Sequence, residues 1–400
     1  MGVYLSRPDT RKESESGDAG NRCEYGASSM QGWRKGQEDA HIAADVGGTA
    51  VFGVFDGHGG REVSNFTAKH FAATLTSQPA FGTNLGSALA GAFHGIDMLL
   101  EDPSNYGELE GFKRDPRPKL GADGGAAAGG AAPADGGDDD DGGRIPISEA
   151  VDMFAKLMSL KKANEGGGAP PPGAAAPAAP PAGLPAAGAR ASQAARAQRD
   201  AASMILPRGE NQVCRLPDSP VTAGATSVVA AVRGDTVVVA NAGDSRAVLC
   251  RKGVAVPLSE DHKPANAGES ERILAAGGFV TAQGRVNGNL NLSRSLGDLK
   301  YKGNTALGRD RQMITAEPDV AVHKLVPRDD EFMVLACDGV WDVLSNQECV
   351  DFVRERIATT PPARIAEQIF DRCIADDPKT TQGIGGDNMT AVIVKFNWAS

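Results

Sequence analysis

The chain has 400 residues and a formal net charge of −10, with 50 glycines and 24 prolines gathered largely in one central block. That length allows one large or two ordinary domains, and the negative balance argues against general binding to the phosphate backbone of nucleic acids. Six cysteines without a C-x-x-C spacing, no apolar run of membrane-spanning length and no opening signal peptide point to a reducing compartment, cytoplasm or nucleus, with neither disulfides nor zinc.

The opening Met1-Gly2-Val3-Tyr4-Leu5-Ser6 fits the N-myristoylation pattern, with Gly2 exposed after Met removal and Ser6 at the right offset. One myristoyl chain gives only reversible membrane binding. An ordinary flexible N-terminus is the competing reading, and residues 1–22 are expected to be flexible in either case. Tyr25–Gln31 and Ala40–Ala44 read as strands around Gly32-Trp33-Arg34-Lys35-Gly36-Gln37-Glu38-Asp39. Neighbours in a strand face opposite ways, so Glu38 and Asp39 reach one spot only if the chain bends or water bridges one of them.

Thr49 to Asp56 reads as a buried apolar strand that stops on an acid, followed by Gly57-His58-Gly59-Gly60. A carboxylate there is costly without a cation. No Lys or Arg stands beside Asp56 before Arg61, so a metal ion is the natural candidate. His58 sits where a proton donor or a ligand would sit; a plain Asp-Gly turn is the bland alternative. Helices are expected over Glu62–Leu75 and Asn84–Leu100, whose stripes (Val63, Phe66, Phe71, Leu75; Leu85, Leu89, Phe93, Ile96) read as core.

From 102 to 216 Gly, Ala and Pro dominate, with an acidic patch at Asp138–Asp141. Such sequence buries too little apolar surface to offset its ordering entropy, so 102–216 is expected to be a disordered insertion between 23–101 and 217–400, which form one domain. Ser148–Leu160 within it has the pattern of a short amphipathic helix. Beyond it, strands Ala225–Val232 and Thr236–Asn241 form a hairpin around Arg233-Gly234-Asp235, and Ala242-Gly243-Asp244-Ser245-Arg246 is a second strand-end acid. Ala247–Cys250 is a strand, and Lys252-Gly253 turns into another. Glu269–Ala276 reads as a helix closed by Gly277-Gly278. The strand Phe332–Ala336 runs into Cys337-Asp338-Gly339, with Asp342 four residues after Asp338. Helices over Asn346–Ile357 and Pro362–Ala375 follow, then Asp387-Asn388 opens the strand Met389–Phe396. One strand-end acid is a turn. Asp56, Asp244, Asp338 and Asp387, together with Glu38 and Asp39, suggest an oxygen-rich cage for Mg²⁺ or Mn²⁺ rather than zinc.

Arg34…Glu38-Asp39-Ala40-His41, Val54-Phe55-Asp56-Gly57-His58-Gly59-Gly60, Gly224-Ala225-Thr226, Asn241-Ala242-Gly243-Asp244-Ser245-Arg246, Leu292-Ser293-Arg294-Ser295-Leu296-Gly297-Asp298, Ala336-Cys337-Asp338-Gly339-Val340-Trp341-Asp342 and Asp387-Asn388-Met389-Thr390 occur in the order typical of one family. Over about two-thirds of its length the chain resembles the metal-dependent protein phosphatases of type 2C. Its first eight residues and long insertion look most like the gamma isoform, whose insertion is far more acidic. Gln37 stands where that family usually has an apolar residue.

The resemblance implies an α+β fold: a central β-sandwich of two antiparallel sheets flanked by helices, with metals in a cleft at one end. It implies two Mn²⁺ or Mg²⁺ ions per subunit and a weaker third. Asp56 would bridge the two, the Gly57 carbonyl would ligate the second, and Asp338 and Asp387 would hold the first. Glu38 and Asp39 would act through bound water, and Asp244 and Asp342 would belong to the third position. Arg34 would grip substrate phosphate, a bimetal-bound hydroxide would attack phosphorus directly, and His58 would protonate the departing serine or threonine oxygen. Phosphorylated proteins are the expected partners of a monomer. Two rivals share the fold: a small-molecule phosphatase, and an inactive binding protein that works through its insertion.

Overall fold

The structure, a computed structural model, describes residues 4–20, 22–114 and 220–398. Its strands form two antiparallel sheets. The first runs in the order β1 (Asp9–Ala19), β2 (Cys23–Gly32), β12 (Met389–Phe396), β11 (Asp330–Ala336), β7 (Arg246–Arg251), β8 (Val254–Pro257). The second runs β10 (Asp319–Lys324), β6 (Thr236–Ala242), β5 (Gly224–Arg233), β4 (Thr49–His58), β3 (Ala40–Val46), and the short β9 (Leu296–Gly297) also pairs with β5.

β4 shows why the strands read as continuous apolar runs. Phe52 and Val54 face the core between the sheets, with Val228, Val239, Leu249, Leu335 and Val392. Val51 and Phe55 face the other way, against α1 (Glu62–Thr76) and α2 (Leu85–Glu101). A strand buried on both faces has no polar side to alternate with. Each fully buried Phe side chain contributes about 1.5–3 kcal/mol. On the outside of the first sheet, Val334 and Ile393 meet Val350 of α6 (Asn346–Arg354) and Ile365 and Ile369 of α7 (Pro362–Cys373). Asn84 caps α2 by accepting from Ser87 N at 3.0 Å, and Ser345 with Glu348 forms a capping box on α6. The result is helix, sheet, sheet, helix, as expected.

Two expectations need correction. Residues 9–19 are not flexible: β1 pairs with β2 from Asp9 to Ala19. It is an edge strand whose charged, exposed side chains erase the apolar period and also discourage pairing with a further chain. The insertion does not begin at 102, because α3 (Tyr106–Phe112) packs against α1 with Leu109 buried. The strands β9 and β10 were not anticipated. The proposed helix over Ser148–Leu160 lies outside the described residues. A satellite core of Ile273, Val286, Tyr301, Met313 and Ile314 joins α4 (Ala267–Ala275) to the loops around it.

Candidate active site

Strand register gathers the acids. Asp56 pairs with Thr226 near the end of β4, and Ala336 at the end of β11 pairs with both Arg246 and Ala391. Cys337-Asp338, Asp387-Asn388 and the β6–β7 turn carrying Asp244 therefore emerge together. They border a cleft of about 140 Å³ lined by Arg34, Glu38, Asp56, Gly57, His58, Asp244, Asp338 and Asp387. Thr226, Asn291, Leu292 and Asn388 complete its wall.

The two remaining expected residues lie off that wall. Asp39 is 5% exposed, with ligand atoms of Asp56 and Cys337 within 4.8 Å, and neither of its carboxylate oxygens has a hydrogen-bond partner among the described residues. Asp342 follows α5 (Asp338–Trp341) and acts on Asp338 through its charge. Glu38 and Asp39 both precede β3, and only Glu38 of the two lines the cleft. Glu38 N donates to Asn388 Oδ1 at 2.9 Å, and Ser64 Oγ donates to the Glu38 carbonyl. Gly57 is required: a Cβ there would lie 2.2 Å from the Glu38 carbonyl oxygen. Gln37 is buried and donates to Thr390 Oγ1 at 3.3 Å.

The electrostatics of this end of the molecule are unbalanced. Burial, then the charges of Asp39, Asp338 and Asp387, pushes Asp56 well above the ordinary carboxylate range. Burial and neighbouring acids do the same to Asp338, and burial first among several causes pushes Asp39 up to about 7. So many buried carboxylates cannot all ionise unaided. The orphaned Asp39 oxygens, the hard-oxygen donor set and the mutual repulsion together fit Mg²⁺ or Mn²⁺. Cys337 stands apart from that set. Burial, then the charges of Asp39, Asp56 and Asp338, pushes its thiol well up against the opposing N–H of Thr390 at 3.2 Å, which leaves it a protonated and poor ligand.

Three basic side chains face the acids. Arg34 pairs with Asp387. Lys263 Nζ lies 2.5 Å from Asp244 Oδ2, and His58 Nε2 lies 2.7 Å from Asp298 Oδ2. Sequence reading assigned no role to Lys263 or Asp298. Asn388 was quoted only within a motif, yet its Nδ2 donates to the carbonyls of Gln31 at 2.7 Å and Gly36 at 2.9 Å and so fixes the Arg34–Glu38 turn. The signal for Asp298 was present in Gly297-Asp298, but its meaning depends on β9 reaching β5.

Comparison with known proteins agrees with this geometry. The family model for protein phosphatase 2C matches residues 23–110 and 188–381. The Oryza sativa subsp. japonica protein "Probable protein phosphatase 2C 58" is 38% identical over 400 residues, 99% of this chain and 89% of that protein. "Protein phosphatase 2C homolog 2" of Schizosaccharomyces pombe is 34% identical, covering 99% of this chain and 79% of that protein. The fold is also that of a phosphatase from a pathogenic strain of Toxoplasma gondii, with a TM-score of 0.57 and 19% identity over 98% of this chain and 97% of that one. A serine-threonine phosphatase 2C from Toxoplasma gondii superposes with a TM-score of 0.52 and 19% identity over 96% of this chain and 99% of that one. With one family matched on both sides of the insertion and relatives aligned along nearly its whole length, the chain belongs to the protein phosphatase 2C family and is a protein phosphatase.

Proposed function

We propose that the chain hydrolyses phosphoserine and phosphothreonine in proteins, by direct attack of water on phosphorus at this cleft. The observation that carries the reading is the meeting of Glu38, Asp56, Asp244, Asp338 and Asp387 with Arg34 and His58 in one cleft. Asp56, the Gly57 carbonyl, Asp338 and Asp387 would hold two Mn²⁺ or Mg²⁺ ions, with Glu38 and Asp39 acting through water and Asp244 and Asp342 around a weaker third. Bound there, the ions would supply an activated water and offset charge on the phosphoryl oxygens. Arg34 binds Asp387 through one terminal nitrogen and keeps further N–H donors for phosphate. His58 gives a proton to the departing oxygen. Among the described residues a cysteine nucleophile is disfavoured: burial pushes Cys23, Cys349 and Cys373 up to about 12 and Cys250 to about 11.

Release of phosphate from a phosphothreonine peptide, with Mn²⁺ and with a chelator, tests the reading beside a panel of sugar phosphates. Turnover that ignores the chelator, or a preference for the sugar phosphates, would overturn it.

The same reading extends to the start of the chain. Tyr4 lies against Gly383 and Gly386, and Leu5 N donates to the Trp33 carbonyl at 2.8 Å, so the N-terminal segment is tied beside the loop leading to Asp387. Myristoylation of Gly2 would give a monomer of cytoplasm or nucleus a reversible hold on membranes. The likeness to the gamma isoform rests on Met1–Pro8 and on the position of the insertion. Myristate labelling in cells, present in the wild type and lost in Gly2→Ala, checks the lipid.

A further inference from the structure

The turn between β6 and β7 brings Asp244 to the cleft on a backbone that needs outside support. Gly243 has φ +125, in the region that favours glycine, and a Cβ there would lie 2.4 Å from the Thr226 Cβ. The turn is thus pressed against the strand that borders the cleft. Two contacts hold it from within the sheet. Asn241 Nδ2 donates to the Gly243 carbonyl at 3.2 Å, and the Thr226 and Ser245 hydroxyls lie 2.8 Å apart.

Further contacts come from one tripeptide, each of whose members takes a different part of the turn. Asp261 accepts from Arg246 Nε at 2.9 Å and from Arg246 Nη2 at 2.7 Å. Lys263 Nζ reaches Asp244 Oδ2 at 2.5 Å. His262, 4% exposed, takes the backbone. Its N–H donates to the Gly243 carbonyl at 2.9 Å, and its ring Nδ1 accepts the Gly243 N–H at 3.2 Å.

The ring is oriented from its other nitrogen. With Nδ1 accepting, Nε2 carries the hydrogen and donates to Asp319 Oδ2 at 3.1 Å. Arg294 Nη1 holds Asp319 at 2.7 Å, and Arg294 Nη2 holds Glu269 at 2.7 Å. One buried imidazole therefore ties the turn to β10 and α4. Asp244 follows Gly243 directly, so rotation about the Gly243 dihedrals would swing its carboxylate. After burial, Asp244 is the neighbour that most raises Asp338, so the two carboxylates stand close together.

We infer that His262 is a positioning residue for the third divalent ion: by holding the Gly243 N–H, its Nδ1 sets the place from which Asp244 reaches that ion. This rests on the reading that gives Asp244 to a third position. Lys263 and His262 act in opposite senses there. The ammonium competes with a cation for the Asp244 carboxylate, whereas the ring fixes the backbone before it and so supports the ligand.

Two substitutions divide the ring's contacts. His262→Asn puts an acceptor, Oδ1, at the position of Nδ1 and gives up the reach to Asp319. His262→Gln carries its amide farther out, where it can meet Asp319, and leaves the Gly243 N–H without that acceptor. The full chain, stripped of metal, is titrated with Mn²⁺ in a calorimeter. The Kd of the weakest event should rise by about 10-fold or more in His262→Gln and by less than about 3-fold in His262→Asn. The two tighter events should stay as in the wild type in both variants. A measurement on the wild type holds even where a variant does not fold. Coupling is reciprocal, so filling the weakest site should strengthen the Gly243 N–H bond. Exchange of that amide, followed by NMR with diamagnetic Mg²⁺, should slow as the weakest site fills. Equal effects of the two substitutions, or an exchange rate that ignores the metal, would overturn the inference and leave the third site standing. Two binding events instead of three in the wild type would overturn the third site, and this inference with it.

Discussion

Lys263 Nζ stands 2.5 Å from Asp244 Oδ2 and brings a positive charge to the edge of the acid cluster where a third divalent ion is proposed. Burial opposes the ammonium charge, but Asp244, Asp338 and Asp342 hold it above its ordinary pKa. Asp244 is 2% exposed, so without Lys263 its carboxylate would be buried and unpaired. Lys263→Met keeps the aliphatic stem and removes the charge. In chelator the variant should lose about 1–3 kcal/mol, less than a fully buried pair because the lysine is partly exposed. Saturating Mn²⁺ should then raise its melting temperature by more than it raises that of the wild type, and calorimetric titration should show a tighter weakest site. Equal rises would mean that Lys263 does not compete with a cation at Asp244.

Asp56→Asn and Asp338→Asn separate stability from activity. Each acid lies in a cluster whose members raise one another's proton affinity. Each substitution removes a charge that the metal-free protein does not tolerate well, so both variants should melt higher than the wild type in chelator. Turnover at saturating Mn²⁺ should fall by ~10²-fold or more, beyond what residues that only support a metal ligand cost. Near-normal turnover would remove the acid from the metal-holding set, and a lower melting temperature in chelator would contradict the repulsion.

The parts of this molecule that were legible in the sequence are those whose cause is local. β4 and β11 announce themselves as apolar runs that stop on Asp56 and Asp338, because burial on both faces and a charge at the end are properties of a few consecutive residues. β1 was not legible, since an edge strand with charged exposed side chains carries no apolar period. α3 was lost because it is short and adjoins the Gly/Ala/Pro-rich stretch. The members of the site that escaped notice depend on folding. Lys263 lies 19 residues from Asp244, and Asp298 lies 240 residues from His58, so only strand register brings them together.

Glu269 makes an acid-stability prediction away from the cleft. It is 5% exposed in α4, with Arg272 Nη1 at 2.8 Å and Arg294 Nη2 at 2.7 Å, and Arg294 also bonds Asp319 at 2.7 Å. Burial alone would raise its pKa, but the two guanidiniums outweigh burial and lower it to about 2. A folded pKa below the unfolded one means that the stabilisation is fully present above about 4.5 and is lost as pH falls from there through about 2. By linkage it is on the order of 3 kcal/mol at pH 7. Glu269→Gln should therefore destabilise by about that much at neutral pH, measured by urea unfolding. At pH ~3 the gap between wild type and variant should shrink to less than half. A gap independent of pH would mean that packing, not ionisation, accounts for the loss.

The insertion can be bounded from the structure and tested by excision. The family model's match stops at residue 110 and resumes at 188, whereas the described residues continue through α3 to residue 114. Leu109 on α3 is buried, and Glu108 bonds Lys69 and His70 of α1, so this helix belongs to the domain. Lys113 and Pro220 border the same small pocket, which brings the two sides of the gap close together. A short connection can therefore close it, and shortening a long surface loop changes the closure entropy little. Excising 118–186 through a short Gly/Ser linker should leave turnover of p-nitrophenyl phosphate within about two-fold and the melting temperature nearly unchanged. Carrying the excision back to 103 removes α3 and uncovers the α1 surface that Leu109 fills. That variant should lose at least the ~2–5 kcal/mol typical of deleting a buried leucine side chain. If the shorter excision yields insoluble protein, 118–186 is part of the fold; if the longer one melts like the wild type, α3 contributes nothing to it.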